Sequence, residues 1–226
     1  MSSERAVAEP DWLPSYLRTA VAGIGAAQKS ARATAAEAVA CELHELSRRD
    51  STLWTRMLAE LRQRPSSAAC GLVIAGALVT DGERSRMLHG AADGLRWEGA
   101  DRAWHDDIGV AVATGRAAHL DGASGRRTWL IEFDNRAQCY STMVEVDRVR
   151  EVLLWVGMFP SLDEVARTSP EPVHESSLAQ AMAETQRCLR LPASSDHSAS
   201  TAPLTPFVAY RLRHLHAARP LRVVRD

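Results

Sequence analysis

Between Leu43 and Leu61 apolar residues return every three or four positions, at Leu43, Leu46, Leu53, Trp54, Met57, Leu58 and Leu61. That spacing is one face of a helix. The polar run "RRDST" (48–52) interrupts it and offers Asp50 or Ser51 as an N-cap for the next helix. The alanine-rich chain from Leu13 to Arg64 is therefore expected to form two helices or one broken one, ended by Pro65. "SAACGLVIAGALVT" and "GERSRMLHGAADGLRW", parted by "TDG", predict two further helices, although the first would also suit a buried strand. Residues 98–127 show no clean period. They are expected to be an irregular connector, with room for a short strand in "GVAVATGRAAHL" and a glycine-made loop at "DGASG".

At residue 128 the period changes to two. Trp129, Ile131 and Phe133 alternate with Leu130, Glu132 and Asp134; Tyr140, Thr142, Val144 and Val146 alternate with Ser141, Met143, Glu145 and Asp147. Strict alternation marks half-buried strands, and "NRAQ" between them is the size of a hairpin loop. Closing that loop on four residues sets Asp134 opposite Cys139, Glu132 opposite Ser141, Leu130 opposite Met143 and Thr128 opposite Glu145. "EVLLWVGMF" predicts another strand, stopped by Pro160, and "SLDE" has the form of a capping box with Ser161 and Glu164. A helix is expected from about Leu178 to Leu191, then a loop over 192–206 and a last helix in "FVAYRLRHLHAA".

These elements predict an α+β fold: a helical N-terminal half, a short antiparallel sheet over about 128–159 and a helical C-terminal end. The expected organisation is a tail at 1–11, one α+β domain over 12–218 (a helical part at 12–97, then sheet and helices at 110–218) and a basic tail at 219–226.

The formal net charge of −1 provides no global field toward nucleic acid or a membrane. Only one of the 27 basic residues is a lysine, Lys29, so chemistry needing a titratable lysine has one residue to draw on. The N-terminus lacks the apolar stretch of a secretory signal, and "TAVAGIGAA" is far short of the ~20 residues of a membrane span. Cys41, Cys70, Cys139 and Cys188 show no paired spacing, which favours free thiols and a cytoplasmic location.

Four acids, Glu132, Asp134, Glu145 and Asp147, share one face of the hairpin. The plain expectation is an outward, solvated face. The chemical alternative is a metal-dependent hydrolase or nuclease in which Asp121, Glu132 and Asp134 hold a divalent cation through oxygen ligands. Against it, Asp134 occupies the position where such enzymes carry a lysine, and cross-strand partners must lie within about 5 Å to share an ion. Cys41 and His44 in "CELH" could form half a zinc site with no second half in sequence, and His105, Asp106 and Asp107 in "WHDD" fit turn and cap chemistry. Ser124 lacks a nucleophile-elbow context. "AGIGAAQK" lacks the strand and third glycine of a dinucleotide fingerprint, and no phosphate-binding G-K-[ST] occurs. Arg211, Arg213, Arg219, Arg222 and Arg225, with His214 and His216, form a basic C-terminus that is a nucleic-acid-binding alternative; docking of this helix on the protein itself is the simpler expectation.

In their order, the hairpin, "GMFPSLDEV", "TQRCLRLPASSDHS" and "PFVAYRLRHL" resemble a loose group of uncharacterised proteins from GC-rich actinobacteria, over about residues 50–218. The resemblance implies a shared α+β fold and carries no catalytic residues. The expectation is a binding or accessory protein without catalytic residues or cofactor, whose partner is another protein, with nucleic acid as the less favoured partner, no membrane association and oligomeric state left open.

Overall fold

The computed structural model of the protein describes residues 12–95, 100–194 and 204–214. It is an α+β fold with a helical N-terminal half. Five helices come first: α1 (Leu13–Ala26), α2 (Arg32–Ser47), α3 (Leu53–Gln63), α4 (Ser67–Val79) and α5 (Gly82–Gly94). A 3-10 segment, Ala100–Asp107, leads into β1 (Val112–Asp121), β2 (Arg126–Asp134), β3 (Cys139–Asp147) and β4 (Val152–Pro160). Then come α6 (Leu162–Thr168), β5 (Val173–Ser176), α7 (Leu178–Cys188) and α8 (Thr205–His214). The strands form one antiparallel sheet in the order β4-β3-β2-β1-β5. Among the described residues no helix is long and apolar enough to cross a membrane.

The run that suited either helix or strand is α4, buried on nearly every side. Ser66 starts it by accepting the Ala69 N–H at 3.1 Å. Two glycines let bulky rings lie against its backbone. A Cβ on Gly71 would fall 2.0 Å from the Trp104 ring, and one on Gly76 would fall 2.8 Å from Trp54. Trp104 is pinned there by its indole N–H, which donates to Ser67 Oγ at 3.0 Å, while His105 Nε2 lies 2.9 Å from the Ser67 carbonyl oxygen. His105 of the "WHDD" stretch is thus a buried structural residue at the first turn of α4.

The apolar residues divide into three layers. Helices α1 to α5 share the first, with Trp54, Met57, Leu72 and Trp104 inside it. The second lies between one face of the sheet (Trp129, Ile131, Phe133, Tyr140, Val144, Val146) and α2, α7 and α8. The third is smaller: Ala118, Leu120 and Leu130 on the opposite face meet Leu162 and Val165 of α6. Helix α2 serves two layers, Ala33, Ala36, Ala40 and Leu43 facing the first and Ala38 and Cys41 the second. Small alanines on both sides let it lie between them, which explains its lack of a single apolar stripe.

The hairpin register is the one the alternation predicts: Asp134 opposite Cys139, Glu132 opposite Ser141, Leu130 opposite Met143, Thr128 opposite Glu145. Asn135 anchors the loop. Its amide donates to Thr34 Oγ1 at 3.0 Å, its side-chain oxygen accepts the Ala137 and Gln138 N–H groups, and Arg136 takes φ +68°.

The sheet is wider than expected, since the connector holds the ten-residue β1 and the polar "VHES" forms edge strand β5. The expected solvated acid face is corrected too. Glu132 is 2% exposed, because α6 packs over that face. Its Oε2 accepts the Leu162 N–H at 2.8 Å and its Oε1 lies 3.0 Å from Thr114 Oγ1 and 3.5 Å from Arg116. Ser161 caps α6 as the capping-box pattern indicates, accepting the Glu164 N–H.

Candidate binding cleft

The three carboxylates of the metal alternative do not converge. Asp121 pairs across the sheet with Arg127, five residues and one parity step from Glu132 on β2. The two acids therefore sit on opposite faces, about 17 Å apart along the strand at ~3.4 Å per residue. Each is engaged by the protein: Asp121 takes Arg127 Nε at 2.6 Å and Nη2 at 2.9 Å, and Asp134 accepts the Arg136 N–H at 2.7 Å. The Arg127 guanidinium holds the Asp121 carboxyl below the usual carboxylate range. Among the described residues no three His, Cys, Asp or Glu side chains form a metal-binding group.

Beside Asp121, His119 Nδ1 lies 2.8 Å from Ser176 Oγ, and His119 Nε2 lies 3.6 Å from Asp121 Oδ2. This has the order of a serine–histidine–aspartate relay. The last distance is beyond a hydrogen bond, and Asp121 is already gripped from the side by Arg127, so the orienting contact is missing. Burial, then Arg127, keep His119 below its ordinary pKa.

The basic C-terminus is split by its environment. Arg211 is 4% exposed and forms an ion pair with Glu37, itself 1% exposed. This overturns Arg211 as a nucleic-acid contact, since a guanidinium enclosed between α2, α8 and Tyr140 has no access to phosphate. Glu37 Oε1 also accepts the Gly109 N–H at 2.8 Å. Burial raises the Glu37 carboxyl while Arg211 opposes it. Burial works against the guanidinium too, but Tyr140, Glu37 and Tyr210 outweigh it and raise its pKa. Arg213 is exposed, and Arg219, Arg222 and Arg225, with His216, lie outside the described residues.

Arg213 stands instead at the rim of a cleft of about 610 Å³ between α2 and α8. Helical periodicity builds both walls: Cys41, His44 and Glu45 from α2, with Arg48 at its C-terminal cap; Pro206, Ala209, Tyr210 and Arg213 from α8. Val79, Leu153, Leu189 and Leu191 supply an apolar floor. Cys41 and His44, paired in "CELH", thus share this cleft, though no metal set completes them.

The electrostatics of the cleft favour an anion. Burial, then Arg48, hold His44 below its ordinary pKa, and its buried Nδ1 makes no hydrogen bond among the described residues. Burial, then Glu37, push the Cys41 thiol up to about 12, leaving it an inert apolar group. Arg48 is paired with Glu45 at 3.1 Å, whereas Arg213 has no carboxylate partner among the described residues. Cys41, His44 and Arg213 each stand out separately in the sequence. Their convergence does not, because it depends on contacts between α2 and α8, far apart in the chain.

Comparison with protein-family models, with curated proteins and with solved structures gives no match.

Proposed function

We propose that this is a binding protein whose cleft between α2 and α8 takes a small ligand with an apolar body and an anionic head. The observation that carries the reading is the combination of an apolar floor, the His44 side chain on the wall and, at the rim, Arg213 with no carboxylate partner among the described residues. A pocket of this size, lined mainly by apolar groups with a few convergent polar ones, suits a ligand of ordinary metabolite or drug size. The expected partner, another protein, has less support: the large exposed apolar residues Trp12, Leu78, Val149 and Phe159 are spread along the chain and across the fold.

The test uses anilinonaphthalene sulfonate, an apolar anion that fluoresces when bound, in competition with dodecanoate and with dodecyltrimethylammonium. Saturable binding displaced by dodecanoate and not by the cation is expected. Ala209→Trp, which fills the cleft, and Arg213→Glu should each weaken it at least about tenfold, the equivalent of about 1.4 kcal/mol. Equal binding by wild type and Ala209→Trp would place the probe elsewhere and sink the reading.

A further inference from the structure

On the same sheet face, three arginines from separate elements converge on one small pocket. Arg127 comes from β2, Arg148 from the turn after β3 and Arg187 from α7; with Gln180 and Glu184 they surround about 200 Å³ over Trp129 and Val146. Such convergence of like charge is unfavourable unless something negative shares the space.

The protein supplies only part of that charge. Asp121 meets Arg127 through Nε and Nη2, and Glu184 meets Arg187 through Nε at 3.0 Å and Nη2 at 2.9 Å. Both carboxylates approach from the side and leave each Nη1 without a protein acceptor among the described residues. Arg148 contributes a whole guanidinium, since only its backbone N–H is bonded, to the Gly125 carbonyl oxygen at 3.1 Å. Three guanidiniums stand against the two carboxylates that hydrogen-bond to them, with Glu151 acting on Arg187 only at longer range. The pKa of His119 nearby is lowered by burial first and then by Arg127, opposed by Asp121, with smaller contributions from His174 and Arg148.

We propose that this pocket binds a small tetrahedral oxyanion of the phosphate class, free or as the head of a phosphate monoester. Donors arriving from three directions fit a tetrahedral group, whereas a planar carboxylate presents two coplanar oxygens that a single guanidinium satisfies. The volume of about 200 Å³ admits a phosphate head. Arg127, stacked 5.6 Å from the Trp129 ring centroid and paired with Asp121, is fixed in place.

The experiment is calorimetric titration of the full chain with inorganic phosphate and with phenyl phosphate, at ionic strength matched with chloride. Wild type should bind with saturation, and Arg148→Glu should weaken binding by roughly tenfold or more. Arg148 is exposed, so its variant should keep the wild-type melting temperature in chloride, which separates lost binding from lost structure. Arg126→Glu, an exposed arginine on the opposite face paired with Glu145 at 3.7 Å, is the control and should bind as wild type does. Tighter binding of phenyl phosphate would identify a phosphate ester as the source of the head group; tighter binding of phosphate would identify the free ion. No saturable heat in wild type, or equal loss in Arg148→Glu and Arg126→Glu, would overturn the proposal, the latter by reducing it to diffuse charge.

Discussion

Replacing Glu37 with leucine would leave the Arg211 guanidinium enclosed with no counter-charge. Arg211 cannot shed its proton, and its other close neighbours are the Tyr140 side chain and two rings, Phe207 at 5.1 Å and Tyr210 at 5.9 Å from Cζ. Removing one member of a buried pair typically costs about 3–5 kcal/mol. For a chain of this length roughly 2–4 °C of melting temperature is lost per kcal/mol, so a drop of roughly 6–20 °C is expected. Arg211→Met alone should cost a similar amount, by stranding the carboxylate. The double variant Glu37→Leu, Arg211→Met removes both charges and keeps the volume. Its remaining defect is the Gly109 N–H, which would lose its acceptor at a cost of about 1–3 kcal/mol. The double variant should therefore be more stable than either single one, a coupling that urea unfolding of all four proteins measures directly, provided the m-value holds constant. Additive losses, or a Glu37→Leu cost below about 1 kcal/mol, would refute the view that this pair is desolvated and coupled.

Gly71→Ala should destabilise by about 1–3 kcal/mol in urea, since the Trp104 ring is held against α4 by Ser67 and cannot withdraw; a stabilising effect, as for an ordinary helical glycine, would contradict that packing. Among the four thiols, Ellman's reagent should modify exposed Cys139 first, leaving Cys41, Cys70 and Cys188 protected until unfolding; burial, then Asp134, raise the Cys139 pKa, so its rate should still climb above pH 9. Acid should weaken the fold. His44, His119 and His214 all titrate below their ordinary 6.5, each through burial first, so the unfolded chain binds more protons than the native one as pH falls below that value. Stability is full above about pH 6.5 and is lost on descending through the folded values, and His119→Asn should flatten part of that slope in pH-dependent urea midpoints.

The fold is legible in the sequence where one local rule decides the outcome. The period-two alternation of 128–147 is a property of neighbouring residues, and a four-residue loop leaves one register that keeps Trp129, Ile131 and Phe133 on a single face. Strand β1 is obscured because "VATGRAAHLD" has only Val112 and Thr114 as β-branched residues, both before a register shift around Gly115, at φ +89°. It is a strand because β2 and β5 flank it. The acid face carries its own signal: Leu130 and Met143 break the run of polar residues, and α6 covers that apolar pair. Alternation shows which side faces the main core, and cannot show that a later helix returns to close the other.

The residues of greatest chemical interest are individually visible and collectively hidden. Glu37 reads as a lone acid in an alanine helix, and Arg211 as one of several basic residues on an amphipathic one; only the packing of α2 on α8 turns them into a buried pair. The same packing defines the cleft, with His44 and Arg213 on walls contributed by the two helices. The proposed binding and the stability of the fold therefore share one interface. A substitution that loosens the Glu37–Arg211 pair should widen the cleft and weaken anion binding although neither residue lines it. Arg213→Glu should do the reverse, abolishing anion binding with little effect on stability, because Arg213 is exposed and unpaired among the described residues.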